Sequence, residues 1–257
     1  MKTMTTLSAL PQASVRSASS FDRVWRIVRL HYLSWRMTLL LPWAILVGIL
    51  GVNMAIWYLV VITTHADHIS GTQYTGSLSY LFVYQAIVAV QLMNLSFGFA
   101  MGVSSTRRDF YLGSALFFVV HAAQFTAGIV LLSYVEQWTG GWGVGGHMFQ
   151  TVYLGTGPLW QRVFTVFFGL LAVLFLGSIF GSVFVRWRAY GLYAIFGILI
   201  AVLLGAAALI TFAHGWPEVG AWFARNRALG VVAWSLPVTA LCGVIGYLAL
   251  RRAVPRS

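Results

Sequence analysis

Six stretches of 22 to 24 residues, at 39–62, 81–103, 113–135, 163–185, 191–212 and 229–250, contain no Asp, Glu, Lys or Arg. About 20 largely apolar residues in a helix cross the hydrocarbon core of a bilayer. A helix satisfies its own backbone there, whereas a lone strand does not. The alternating apolar and polar pattern of a barrel strand is absent from all six. The chain as a whole cannot make a soluble fold, because 60% of its 257 residues are hydrophobic and 8% are charged. A soluble domain carries about 25% charged residues, so this chain is short of polar groups to cover a globule of its size. The sequence therefore predicts an all-α membrane protein with six transmembrane helices, spanning the cell membrane and occupying 38–252.

The net charge of +11 raises the question of a nucleic-acid partner. The positions of the charges answer it, since every Lys and Arg lies outside the apolar runs or at their ends. Placed with the N-terminus inside, the chain puts Lys2, Arg16, Arg23, Arg26, Arg29, Arg36, Arg107, Arg108, Arg186, Arg188, Arg251, Arg252 and Arg256 in the cytoplasm. Arg162, Arg225 and Arg227 fall outside. That asymmetry predicts cytoplasmic N- and C-termini. It marks topology rather than a nucleic-acid surface.

Residues 1–20 lack the continuous apolar core of a signal peptide and read as a flexible cytoplasmic tail, with a second tail at 253–257. Between the first tail and the first span, 21–37 reads as an interfacial amphipathic helix. At 100° per residue, Phe21, Val24, Trp25, Val28, Tyr32 and Trp35 share one face, while Arg23, Arg26, Arg29 and Arg36 gather opposite. Ser19 or Ser20 supplies an N-cap. Such a helix either anchors on membrane lipid or docks a cytoplasmic partner.

The outer connections differ in kind. Residues 136–161 contain TGGWGVGG at 139–146, too rich in glycine for a stable helix, and read as a flexible connector. Residues 216–227 read as a short helix on or in the outer leaflet. Within the spans, GFAMG at 98–102 and GSIFG at 177–181 are small-xxx-small patterns that permit close helix approach. Pro42 and Pro237 mark a helix end or kink.

Polar side chains within the spans are Asn53, Gln85, Gln91, Asn94, His121 and Gln124. Each is expected to face the bundle or a wet cavity, with His121 and Gln124 on one face of the third span. No span carries the buried charge that ion-coupled carriers use. Zinc-protease, serine-hydrolase and phosphate-loop signatures are absent, so no catalytic or nucleotide-binding residue is assigned. The lone Cys242 offers neither a disulfide partner nor a metal-ligand spacing.

The connection between the second and third spans carries the densest chemistry: Arg107, Arg108, Asp109, Phe110 and Tyr111 within a few residues of two glycines. Asp109, Phe110 and Tyr111 read as a short helix lying across the membrane surface. Residues 97–113, FGFAMGVSSTRRDFYLG, resemble the segment between spans two and three in permease subunits of bacterial ATP-binding cassette type-2 exporters. The likeness extends to the six spans, the helix before them and the chain length.

The resemblance implies that 21–37, with Arg23, Trp25, Arg26 and Arg29, is a connecting helix against a separate ATPase subunit. It implies that Arg107, Arg108, Asp109 and Phe110 form a coupling segment, with a smaller contact at Arg186 and Arg188. Residues 216–227 would match external re-entrant helices, and the long glycine-rich connector departs from the pattern. ATP and magnesium would be held by the ATPase partner, with no cofactor in this chain. A second permease copy or paralogue would complete the substrate path, for a hydrophobic or amphipathic compound such as a drug, peptide or lipid. Two other readings compete: a non-transporting assembly, sensor or immunity protein, and a secondary carrier or channel.

Overall fold

The computed structural model describes residues 19–65, 68, 71–72, 75–103, 105–152, 154 and 157–252. The two expected tails therefore lie outside the described residues, apart from Ser19 and Ser20. Helices α1 (Ser20–Tyr32), α2 (Leu41–Thr64), α3 (Ser79–Gly102), α4 (Arg107–Trp138), α5 (Leu159–Phe212) and α6 (Trp216–Arg251) make up almost all of it, and no strand occurs among the described residues. Among the described residues, five helical segments are long and apolar enough to cross a bilayer: Arg36–Thr64 and α3 to α6.

Helix α1 starts where the sequence places it. Ser19 accepts from the Asp22 backbone while Asp22 reaches back to Ser19, a reciprocal cap that closes the first turn. Its end differs from the expected 37: α1 stops at Tyr32, and a π-helical turn, Arg36–Leu40, leads into α2. A π turn and the missing N–H of Pro42 leave carbonyls without their usual helix donors. Tyr84 Oη on α3 donates to Met37 O at 2.7 Å, and Tyr80 Oη donates to Pro42 O.

The buried face of α1 also differs from the expected aromatic face. Ile27, Val28 and His31 are buried against α4, with Val24 half-buried, whereas Phe21 and Trp25 are exposed and stack on each other. Positions 24, 27, 28 and 31 follow the i, i+3, i+4, i+7 spacing of a helix seam. Gly113 permits the contact, since a Cβ there would sit 2.5 Å from Ile27 Cβ.

Helix α4 is continuous from Arg107, so Asp109, Phe110 and Tyr111 form its first turn rather than a separate surface helix. Its inward face supplies the largest buried side chains, Phe110, Phe117, Phe118 and Phe125, which pack with Phe97 of α3 and Leu170 and Leu174 of α5.

Two expected spans, 163–185 and 191–212, fall within the 54 residues of α5. At 1.5 Å per residue an unbroken helix of that length would be about 80 Å long, far beyond a bilayer core of about 30 Å. It is broken at Arg188 (φ 57°, ψ −145°). Phe180 and Phe196, equidistant from the break, have ring centroids 5.5 Å apart, so the arms 159–187 and 189–212 fold back on each other. Helix α6 breaks in the same way at Arg227 (φ 49°, ψ −165°), not at Pro237. Both breaks sit in one pattern, Arg-x-Arg-Ala-x-Gly: RWRAYG at 186–191 and RNRALG at 225–230. The closing glycine lies against the preceding arm. A Cβ on Gly191 would meet Val183 Cγ1 at 2.7 Å, and one on Gly230 would meet Asn226 Cβ at 2.7 Å.

The two small-residue patterns part company. Gly177 and Gly181 pack on α3, where an added Cβ would meet Ala86 O at 2.5 Å and Met93 Cβ at 2.6 Å. Gly98 and Gly102 face open space. No residue from 192 to 238 is buried, so the second arm of α5 and the first half of α6 are little covered by the other described residues.

Candidate functional site: the junction at the start of α4

Consecutive residues on a helix point about 100° apart, so the first turn of α4 reaches several neighbours at once. Thr106 caps it by accepting from the Asp109 backbone at 3.0 Å. Arg107 Nη1 donates to Arg251 O at 2.9 Å, at the end of α6, where carbonyls lack helix partners and a cation is favoured. Arg23 Nε on α1 donates to Asp109 Oδ2 at 2.9 Å, and the carboxylate is nearly buried. Phe110 is fully buried and meets Phe97 edge-on at 5.4 Å and His31 at 5.9 Å. Tyr111 Oη donates to Gly243 O of α6 at 2.5 Å.

The expected contact residues thus divide by direction. Arg108 is exposed, as are Trp25, Arg26 and Arg29 on α1 and Arg188 at the α5 reversal. Arg186 is half-buried, its guanidinium 4.0 Å over the Trp187 ring. Asp109 and Phe110 face other helices and are not surface groups.

His31 belongs to the same junction, although its sequence position gave no sign of it. Ser114 Oγ donates to Phe110 O at 3.0 Å, so its one proton is committed. His31 Nε2, 2.8 Å away, is therefore the donor to that oxygen, and the unprotonated Nδ1 has no partner among the described residues. Burial lowers the His31 pKa to about 4, which keeps the ring neutral near pH 7.

The polar side chains within the spans do not form one path. Gln85 Oε1 and His121 Nε2 pair at 3.0 Å in the core between Phe117 and Phe125. Asn53, midway along α2, donates to Ile49 O and Ser77 Oγ. Asn94 is half-buried. Gln91 and Gln124, expected to face the bundle, are exposed, and Gln124 accepts from Tyr32 Oη at 3.3 Å. The shared face of His121 and Gln124 straddles the seam with α1, so one points in and the other to its rim.

At the opposite end the glycine-rich connector is ordered rather than a free tether. Glu136, in the last turn of α4, is fully buried. Its carboxylate accepts from the backbones of Met148 (2.8 Å), Phe149 (3.0 Å) and Gln150 (2.9 Å) and from Trp142 Nε1 (2.9 Å). Gly140, Gly141, Gly143 and Gly145 all have positive φ, which lets the chain curl over that carboxylate. Arg162, also buried, donates to Gly157 O at 2.8 Å and to Ser133 Oγ at 3.3 Å. Neither group was assigned a role from sequence, because the donors to Glu136 are the backbones of three non-glycine residues 12 to 14 positions later and one tryptophan side chain. Among the described residues no group of three metal-ligating side chains occurs. No family model, curated protein or solved structure matches this chain.

Proposed function

We propose that the chain is the membrane-spanning permease subunit of an ATP-driven exporter, with six passes, both ends cytoplasmic and α1 packed along the inner end of α4. The fold-back at Arg188 supports six passes, because it divides α5 into two arms of span length. The excess of arginine at the end that holds Arg107, Arg186 and Arg251 supports its cytoplasmic placement.

One observation carries the functional reading. The Arg23–Asp109 ion pair binds together the two segments that the resemblance assigns to ATPase contact, and leaves Arg26, Arg29 and Arg108 exposed beside it. A partner ATPase that binds ATP and magnesium would grip this surface. Its closure would move α1 and the start of α4 as one unit. Arg107 on Arg251 O and Tyr111 on Gly243 O would pass that movement to α6. A packed bundle with two discrete arrangements then alternates between inward- and outward-open forms. The uncovered arm at 192–212 suits a second permease copy or paralogue. The exported compound would be hydrophobic or amphipathic.

Co-purification in mild detergent tests this. The chain should bring down an ATP-binding cassette ATPase, and the Arg26→Glu/Arg29→Glu/Arg108→Glu variant should lose it while remaining monodisperse. Recovery of no ATPase would point instead to a non-transporting assembly or sensor protein.

A further inference from the structure

A groove of about 940 Å³ runs between the two arms of α5 and α6. That lies at the upper end of the range of built ligand sites, about 300–1,000 Å³. Its walls are apolar, formed by Ile179 and Phe180 on the first arm, Leu199 on the second, and Ile245 and Leu248 on α6. Its mouth carries Arg186, Arg251 and Arg252, with Trp187 beside them.

Among the described residues, no carboxylate pairs with the charge at that mouth. The chain has five carboxylate side chains. Asp22 caps α1, and Asp109 is held by Arg23. Glu136 is enclosed at the far end of α4, and Glu218 lies in the first turn of α6, at the opposite end from Arg251. Asp67 lies outside the described residues. The guanidinium groups of Arg186, Arg251 and Arg252 form no ion pair with a carboxylate among the described residues. An aliphatic trough that ends in three arginines and a tryptophan has the polarity of one molecule: apolar chain inward, anionic head outward.

We infer that this groove is a binding site for an anionic phospholipid, whose acyl chain lies between the α5 arms and α6 and whose phosphate meets Arg186, Arg251 and Arg252. Basic pockets between transmembrane helices bind anionic head groups in this way. The inference rests on the fold and on membrane residence, and is independent of any ATPase partner.

Native mass spectrometry of the full chain, delipidated in detergent and titrated with phosphatidylglycerol or phosphatidylcholine of identical chains, tests it. Phosphatidylglycerol should bind the more tightly. The Arg186→Gln/Arg251→Gln/Arg252→Gln variant should weaken that binding by about 100-fold, at about fivefold per arginine. The corresponding triple lysine variant should retain most of it. Arg225→Gln/Arg227→Gln, at the far end, should leave it unchanged. Leu199→Trp, which fills the trough without altering charge, should weaken both lipids and serves if the glutamine variant fails to fold. Equal binding of the two lipids, or full phosphatidylglycerol binding by the glutamine variant, would overturn the site. So would a second copy of the chain covering the groove in cross-linking. Because no ATPase is present, loss of the exporter reading would leave this result standing, and the reverse holds equally.

Discussion

Arg23 and Asp109, 86 positions apart, form an ion pair at 2.9 Å that joins α1 to the first turn of α4. The carboxylate side chain is 9% exposed and the guanidinium 41%. The half-exposed arginine is partly screened, so a double-mutant cycle with Arg23→Ala and Asp109→Asn should give a coupling of about 1 kcal/mol. Arg23→Ala alone should cost more, about 1–3 kcal/mol, because it leaves a nearly buried carboxylate without that partner. Thermal unfolding in mild detergent measures both, and additive single effects would count against the pair.

The Glu136 carboxylate should be the strongest polar determinant of the opposite end. Glu136→Ala removes the acceptor from four donors and should destabilise the protein by about 3–5 kcal/mol. Glu136→Gln retains one carbonyl oxygen and should cost less. Limited proteolysis should then cut within 141–150, and a variant as resistant as the wild type would show that the connector is held by other contacts.

The four small-xxx-small glycines should separate cleanly. Gly177→Ala and Gly181→Ala force a Cβ onto α3 and should each cost about 1–3 kcal/mol. Gly98→Ala and Gly102→Ala meet nothing and should be neutral or stabilising by up to about 1 kcal/mol through helix propensity. Thermal melting of the four variants decides it. A large loss at Gly98 would reveal an approach by another chain.

His31 imposes a pH dependence of definite sign. Its pKa, 6.5 when unfolded, falls to about 4 in the folded chain through burial. Protons therefore bind the unfolded state first as pH drops below 6.5. The contribution of His31 is complete above 6.5, is lost between 6.5 and about 4 at up to about 1.4 kcal/mol per pH unit, and is constant below that. His31→Gln should flatten the melting profile in that window. An unchanged slope would mean that His31 does not titrate there.

At both helix reversals an arginine occupies a backbone region with φ near +50° and strongly negative ψ, which glycine tolerates best. Arg188→Gly should therefore be tolerated or stabilising, while Gly191→Ala should destabilise by about 1–3 kcal/mol, since its Cβ meets Val183. A destabilised Arg188→Gly would mean that the side chain, rather than the turn, matters there.

The apolar runs made the helices legible, since hydropathy acts locally and the edges of α2 and α3 lie within two residues of expectation. The cap at Ser19 was legible for the same reason. What was hidden depends on distant partners. Glu136 is satisfied by backbone groups 12 to 14 residues later, and no local pattern announces such a fold-back. Phe110 has the look of a surface aromatic beside Arg107 and Arg108, yet the turn of α4 carries it into the core. Gln91 and Gln124 are polar residues in apolar helices, but whether they face in or out depends on which neighbours pack there.

The central claim is that the surface around Arg108 meets an ATPase in the cytoplasm. The native Cys242 is buried, so Arg108→Cys adds one accessible thiol. Maleimide-based cross-linking from that thiol in native membranes, followed by mass spectrometry, should yield an adduct with an ATP-binding cassette ATPase. Labelling of the same thiol by an impermeant reagent from outside intact cells, or adducts that never contain an ATPase, would contradict the account.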